Sequence, residues 1–512
     1  MSFQPPAHWS PPAAYRPPRY AYVIAALLAV LLVAALAVPV AIAVLRYRGD
    51  WPPPTGSRGV PPTTAQGGAN GAGDPYFPDY GSSGYDATQY TVAVDFDPGR
   101  ETLTGRAVVA ARATESLGSF YLDLALPASR VRVDDVDATF ALEGFQDLKI
   151  TPATPIADGQ SFTVTVEYAG RPGTLRREGM DDPPWRSGDD EWTVAGEPES
   201  SAWWYPANDH PSDPARLDVS VRVPKEYQAV SIGRLASKDY AQEADFDTWH
   251  WVMSESLPTY ASFLAIGHYE LREGEADGRP YVYAASTRFS DDERATMFAA
   301  MERTPAVVRE IEAFAGPYPY SEFGGIVPAT DLWFAGLETA TRPIYVADAL
   351  MNEFSDELLV HELAHMWFGD HVTLLQWNDI FTNEAFASWA YWEVVERRGG
   401  TKGDARLDRT YERTKGDADF WRVTMIDPGP AKMFDTVYTR GPMALQALNN
   451  VMGDRAFDGL VRSWAQGGGA RSLEDFMVLA QARTSVDLTP IFRQWLFDPD
   501  APEKTEANGF DS

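Results

Sequence analysis

The chain has 512 residues, enough for a large core and, once unstructured ends are set aside, for two or three domains. Its formal net charge is −30 at pH 7, so it has no basic footprint to displace counterions from phosphates, and no nucleic-acid partner is expected. It has no cysteine, which removes disulfides and thiolate ligands and is neutral evidence about compartment.

Residues 1–19 read as a proline-rich tail carrying Arg16 and Arg19. From residue 20 to 45 the chain is uncharged and dominated by Ala, Val and Leu, long enough for a transmembrane helix. Ala41-Ile42-Ala43 could be read as a signal-peptide cleavage site, which makes secretion the alternative; the apolar run exceeds the usual signal core, so an uncleaved anchor is favoured. Arginines flank both ends and give almost no orientation. A short tail, one span and one large acidic part lead to the expectation of a single-pass cell-membrane protein with an extracellular catalytic part and the membrane as a partner. Residues 46–84, rich in Pro, Gly, Ser and Thr, read as a tether.

Residues 85–280 show short alternating runs, Tyr90 to Phe96, Ala107 to Ala111, Ser161 to Tyr168 and Leu217 to Val223. Turn residues such as Asp97-Pro98-Gly99 separate them, which predicts a largely antiparallel β domain. Over 281–500 the pattern changes to a predicted helix from Asp291 to Phe314, strand-like and glycine-rich stretches up to Glu338, and then long helices. Further helices are predicted for Arg440–Met452, Ala456–Gln466 and Leu473–Gln481, and 501–512 reads as a polar tail.

The chemistry centres on His361-Glu362-Leu363-Ala364-His365. On a helix, His361 and His365 lie one turn apart on one face and can hold one ion, while Glu362 points to the adjoining side, where a water can sit. A third ligand is offered by Glu384, with eighteen residues between it and His365. Two histidines and one carboxylate leave a position for water, the open arrangement of catalytic Zn(2+), one per chain. Glu362 is then the general base. A lone H-E-x-x-H also occurs on solvated helices; the correctly spaced Asn383-Glu384 and the apolar helix after it favour the metal.

This spacing resembles that of the gluzincin metallopeptidases, and Gly369, Val372-Thr373, Trp377, Asp379 and Asn383-Glu384-Ala385-Phe386-Ala387 narrow the resemblance to the M1 family of zinc aminopeptidases. Ala335-Gly336-Leu337-Glu338-Thr339 looks like a variant of the family's G-x-M-E-N motif, and Tyr438-Thr439-Arg440-Gly441 resembles its Y-x-K-G segment. Trp203 to Pro211 resembles its aromatic-proline segment, with Ala207 where many relatives have cysteine. The resemblance implies a multidomain fold, an N-terminal antiparallel β saddle-like domain followed by a thermolysin-like, mostly α catalytic domain. The ending soon after Leu496 departs from that pattern, since many members continue into a C-terminal helical domain, and the chain is expected to be a short form lacking it.

By the same resemblance Glu338 and Glu197 hold the substrate's amine, Ala335, Gly336 and Leu337 form a strand beside the substrate, Tyr438 donates to the oxyanion, and Arg440 is a secondary candidate. On its residues alone Glu197 reads as a turn glutamate, with Glu199 the competitor for its role. The expected function is that of a zinc aminopeptidase acting on peptides with a free N-terminus. A zinc endopeptidase, or another hydrolase on the same scaffold, is the enzymatic alternative, and a binding ectodomain the non-enzymatic one.

Overall fold

Alternating apolar residues build the first half of the fold. The computed structural model describes residues 67–240 and 245–510, which belong to one compact unit, Val60–Ser512. β1 (Tyr85–Asp97) buries Tyr90, Val92, Val94 and Phe96, and β2 (Thr102–Ala113) buries Leu103, Ala107, Val109 and Ala111 on the same face. With β3 (Ala128–Val133), β4 (Val136–Asp137), β5 (Ser161–Gly170), β6 (Ala215–Pro224), β7 (Arg234–Tyr240) and β8 (Phe246–Leu257) they form one sheet in the order β7-β8-β6-β1-β2-β5-β3-β4.

The expected antiparallel sheet is corrected here to a mixed one. β1 and β6 run parallel, in register from Gln89↔Arg216 to Asp95↔Arg222. Parallel neighbours need a long crossover, and the chain from Asp97 to Ala215 supplies it.

The second half contains a five-stranded sheet made of β9 (Tyr269–Ala276), β10 (Arg279–Ser286), β11 (Phe323–Val327), β12 (Gly336–Leu337) and β13 (Ile344–Tyr345). Their order is β9-β10-β11-β13-β12, which leaves β12 on the edge. The single helix expected over Asp291–Phe314 is two, α1 (Asp291–Met301) and α2 (Thr304–Ala315). Pro305 lies in the first turn of α2 and lacks the N–H needed to continue α1. A capping box of Ser290 and Glu293 opens α1. There follow α3 (Ala347–Met351), α4 (Ser355–Ala364), α5 (Phe386–Arg397), α6 (Gly403–Thr414), α7 (Ala418–Arg422), α8 (Val437–Met452), α9 (Asp454–Ala465) and α10 (Leu473–Gln481).

Two segments read as loose are built into the fold. Residues 67–84, expected as tether, form a strap: buried Asp74 accepts from the Trp377 N–H at 2.7 Å and faces His210 Nε2 at 3.1 Å, linking the helical half to the β half. Tyr76 donates to Asp427 Oδ1 at 2.5 Å and accepts from the Gly429 N–H at 2.8 Å. The stretch expected as a polar tail buries Phe510 against the rings of Tyr411 and Trp495, and Tyr411 donates to the Pro502 carbonyl at 2.6 Å. In both cases a few aromatic and buried groups outweigh a polar composition.

The expected tail 1–19, anchor 20–45 and the first part of the tether lie outside the described residues. Among the described residues no helix is long and apolar enough to cross a membrane. The longest, α8, has 16 residues, against the roughly 20 that a bilayer requires. The membrane-anchored architecture, the membrane partner and the cell-membrane placement are corrected accordingly: the fold described is a mixed-sheet half followed by a helical half, without a transmembrane helix among its described residues.

Candidate metal centre

α4 brings the first ligands together. Asp356 and Glu357 in its first turn suit the positive end of the helix dipole, and Leu359, Val360, Leu363 and Ala364 are buried, which fixes the rotation of the helix. His361 then faces inward, and His365 caps the C-terminal end. The third group comes from a π turn, Phe381–Ala385, that runs into α5 and carries Asn383 and Glu384, both buried. Such wide turns inside helices recur at functional sites because they re-aim consecutive side chains.

His361 Nε2 and His365 Nε2 lie 3.1 Å apart, and Glu384 Oε2 is 3.2 Å from the first and 3.4 Å from the second. Ligands at 2.0–2.2 Å around a tetrahedral zinc are separated from one another by roughly 3.3–3.6 Å, so the triangle has close to the right size. Glu384 Oε2 is buried without a hydrogen-bond donor, the condition of an oxygen awaiting a cation. His365 Nδ1 sits 3.0 Å from the Phe368 carbonyl and 2.5 Å from Asn383 Oδ1, which turns Nε2 to the cluster, as a metal ligand requires. The three residues fit a single zinc ion.

Around them the structure gathers further carboxylates. One oxygen of Glu362 lies so close to Gly336 that a Cβ there would approach it to 2.3 Å. Burial pushes the Glu362 carboxyl up, and Glu338 and Glu384 add to this against the opposing effect of His365. Glu338 Oε1 accepts from the Tyr260 hydroxyl at 3.2 Å and from Asn383 Nδ2 at 3.4 Å. Glu197 shares a cluster with Glu338 and Glu384 in which one oxygen of each lies within 4.8 Å of the others. Glu197 Oε1 is buried without a partner, and burial, then Glu338 and Glu384, raise its carboxyl. Glu199, the sequence competitor, instead pairs with Arg177 at 2.5 Å and accepts from Gln146 at 2.9 Å.

Ala335 is exposed, and Gly336 and Leu337 form the edge strand β12, whose inner side pairs with β13. Tyr438 is 41% exposed, but its hydroxyl donates inward to Glu384 Oε1 at 3.0 Å. Arg440 has other employment. Its guanidinium is buried and donates to the carbonyls of Trp421, Val423, Gln494, Trp495 and Asp498, the closest at 2.7 Å.

Sequence reasoning gave no role to Tyr260, which lies in the β half far along the chain and has no local signal, nor to Asn383, whose position beside Glu384 was the available clue. It also missed Asp370, buried with neither carboxylate oxygen hydrogen-bonded.

The profile of the Peptidase family M1 domain matches residues 300–495. Aminopeptidase M1-B of Oryza sativa subsp. japonica is 24% identical over 282 residues, covering 51% of this chain and 31% of that protein. Aminopeptidase B of Mus musculus is 24% identical over 328 residues, covering 58% and 48%. The chain thus spans a third to a half of the length of these curated relatives. An M1 zinc metallopeptidase of Deinococcus radiodurans, solved as a mutant bound to a Tyr-Ser-Ala substrate, superposes with a TM-score of 0.74 at 25% identity, covering 84% of this chain and 98% of that one. The same enzyme without the substitution gives 0.73 at 26% identity, with the same coverage. A family match over residues 300–495, which carry the ligands, and a structural likeness through both halves give the chain the fold of the M1 zinc metallopeptidases together with a zinc-ligand set.

Proposed function

We propose that the chain is an aminopeptidase that removes the N-terminal residue of peptides. The observation that carries this reading is the meeting of Glu197 and Glu338 beside the metal cluster, with Glu197 Oε1 buried and unpartnered. Two carboxylates at a fixed place suit a protonated α-amine, and an internal peptide bond has no such cation to offer. Solved M1 zinc metallopeptidases bound to Tyr-Ser-Ala, in the Deinococcus enzyme, and to L-tryptophan and L-arginine support it, since each of these ligands has a free α-amine. The last two are described as a two-domain enzyme, which supports reading residues 85–280 as a β domain and 281–500 as the catalytic domain.

His361, His365 and Glu384 would hold the zinc, which when bound lowers the pKa of a water and polarises the scissile carbonyl. Glu362 takes the proton of the attacking water and delivers it to the departing amine, a task helped by a carboxyl held above its ordinary range. Tyr438 turns its hydroxyl from Glu384 to the oxygen that gains charge. The free side of β12 can pair with the substrate's backbone, the usual service of an exposed sheet edge.

The test compares kcat/KM for a peptide with a free α-amine and for its N-acetylated twin. One charge-assisted hydrogen bond is worth about 1.5–3 kcal/mol, so the free peptide should be preferred by roughly ten- to a hundredfold for each carboxylate engaged. Equal rates, or internal cleavage of a long blocked peptide, would leave a zinc endopeptidase in its place.

A further inference from the structure

We propose that Asn383 and Tyr260 are positioning residues that keep Glu338 available to the substrate's amine by preventing it from becoming the hydrogen-bond acceptor of His365. This rests on the reading of Glu338 given above.

His365 Nδ1 lies 3.0 Å from the Phe368 carbonyl, which can only accept, so Nδ1 carries a proton. That proton has a second acceptor, Asn383 Oδ1 at 2.5 Å, while Glu338 Oε1 stands 3.9 Å away. A carboxylate is the stronger acceptor, and carboxylates commonly sit behind metal-ligating histidines. Glu338 is therefore within a short swing of being captured by His365, and two groups oppose the swing. Asn383 fills the place with Oδ1 and offers Nδ2 to Glu338 Oε1 at 3.4 Å and to the Tyr260 hydroxyl at 3.2 Å. Tyr260, fully buried, donates its own proton to the same Glu338 oxygen at 3.2 Å.

The amide has one sensible orientation, oxygen to the imidazole and nitrogen to the carboxylate. The backbone makes room for it at Gly369, whose φ is +132° and where a Cβ would come within 2.4 Å of Asn383 Oδ1. A carboxylate 3.9 Å from capture would otherwise be lost to recognition, and the zinc ligand would gain the partner that the substrate needs.

The experiment measures kcat/KM for the free and N-acetylated peptides in wild type, Glu338→Gln, Asn383→Ala, Tyr260→Phe and the Asn383→Ala/Glu338→Gln double variant, together with zinc retained after a chelator challenge. Asn383→Ala should lower the free-amine preference about tenfold or more, to the level of Glu338→Gln, and the double variant should fall no lower, because both changes remove the same carboxylate from service. Zinc should stay in Asn383→Ala, where Glu338 takes over His365, and leave the double variant about tenfold more readily. Tyr260→Phe should lower the preference about threefold or more, mainly through the KM of the free peptide, with zinc retained.

If wild type shows no preference, the aminopeptidase reading fails and this inference with it. If wild type prefers the free amine and Glu338→Gln removes that preference while Asn383→Ala and Tyr260→Phe retain it, the aminopeptidase reading stands and the inference is overturned. Additive losses in the double variant, or equal losses on both peptides, would also overturn it by showing a merely structural role. Should Asn383→Ala not fold, Tyr260→Phe decides alone.

Discussion

Replacing Asp74 with alanine asks whether residues 67–84 are a strap or a tether. Asp74 Oδ1 accepts from the N–H groups of Tyr76 at 2.7 Å and Phe77 at 2.9 Å, where water can take its place. Oδ2 serves the Trp377 N–H at 2.7 Å and faces His210 Nε2 at 3.1 Å, both buried. Alanine orphans those two groups at about 1–3 kcal/mol each, and because both are buried and bonded to a carboxylate the sum is placed at roughly 3–5 kcal/mol. With an unfolding entropy of about 2.1 cal/mol/K per residue over about 440 residues unfolding together, Tm should fall by roughly 3–5 °C. Calorimetry of purified Asp74→Ala against wild type is the assay. A Tm within about 1 °C of wild type would refute the strap and restore the tether.

Glu384→Gln should release zinc to a chelator, whereas Glu362→Gln should keep the metal and lose about 10²–10⁴ in kcat; metal analysis beside kinetics checks both, and the reverse pattern of zinc loss would sink the assignment. Burial pushes Asp213, Glu322 and Asp379 up to about 7 from 3.8, 4.5 and 3.8, so between roughly pH 4 and 7 the folded chain binds more protons than the unfolded one, and stability should rise as pH falls from about 8 to 5. Thermal unfolding across that range should show Tm climbing, with a smaller climb in Asp213→Asn; a fall would contradict it. Arg440→Lys leaves part of a carbonyl cage without donors and should lower Tm while kcat/KM per folded molecule stays close to wild type.

What was legible in the sequence is what repeats or is tightly spaced. The H-E-x-x-H pair and Glu384 share local geometry on two neighbouring helical segments, so their residue types and spacing were enough to anticipate the cluster. The strands of the first half could be read from period-two burial, as in β1, but not the parallel register of β1 on β6, which depends on a partner far along the chain. Arg440 was read as a variant of a functional lysine. Its cage is made of five backbone carbonyls that no side-chain pattern advertises. Asp74, in a stretch rich in Gly and Pro, looked like linker because the groups it satisfies, Trp377 and His210, are distant in sequence. On their residues Glu199 competes with Glu197; the half-buried guanidinium of Arg177, paired with Glu199, separates them in space.

The charge in the centre follows from the same placement. Glu197, Glu338, Glu362 and Glu384 converge in a largely buried space with His361 and His365, and burial raises both Glu197 and Glu362, which marks the set as uncomfortable when nothing cationic is present. In the proposed reading the four carboxylates amount to a formal −4 once ionised; a zinc dication and a substrate ammonium bring this to −1, and the proton passed from the attacking water to Glu362 leaves that sum unchanged, since the water oxygen takes on the charge that Glu362 loses. A blocked peptide supplies no ammonium and leaves a buried negative charge uncompensated beside Glu197 and Glu338. Selectivity for a free N-terminus then arises from the cost of that unpaired charge as much as from attraction to the amine, which is why its loss should follow the removal of Glu338 and not merely the weakening of one contact.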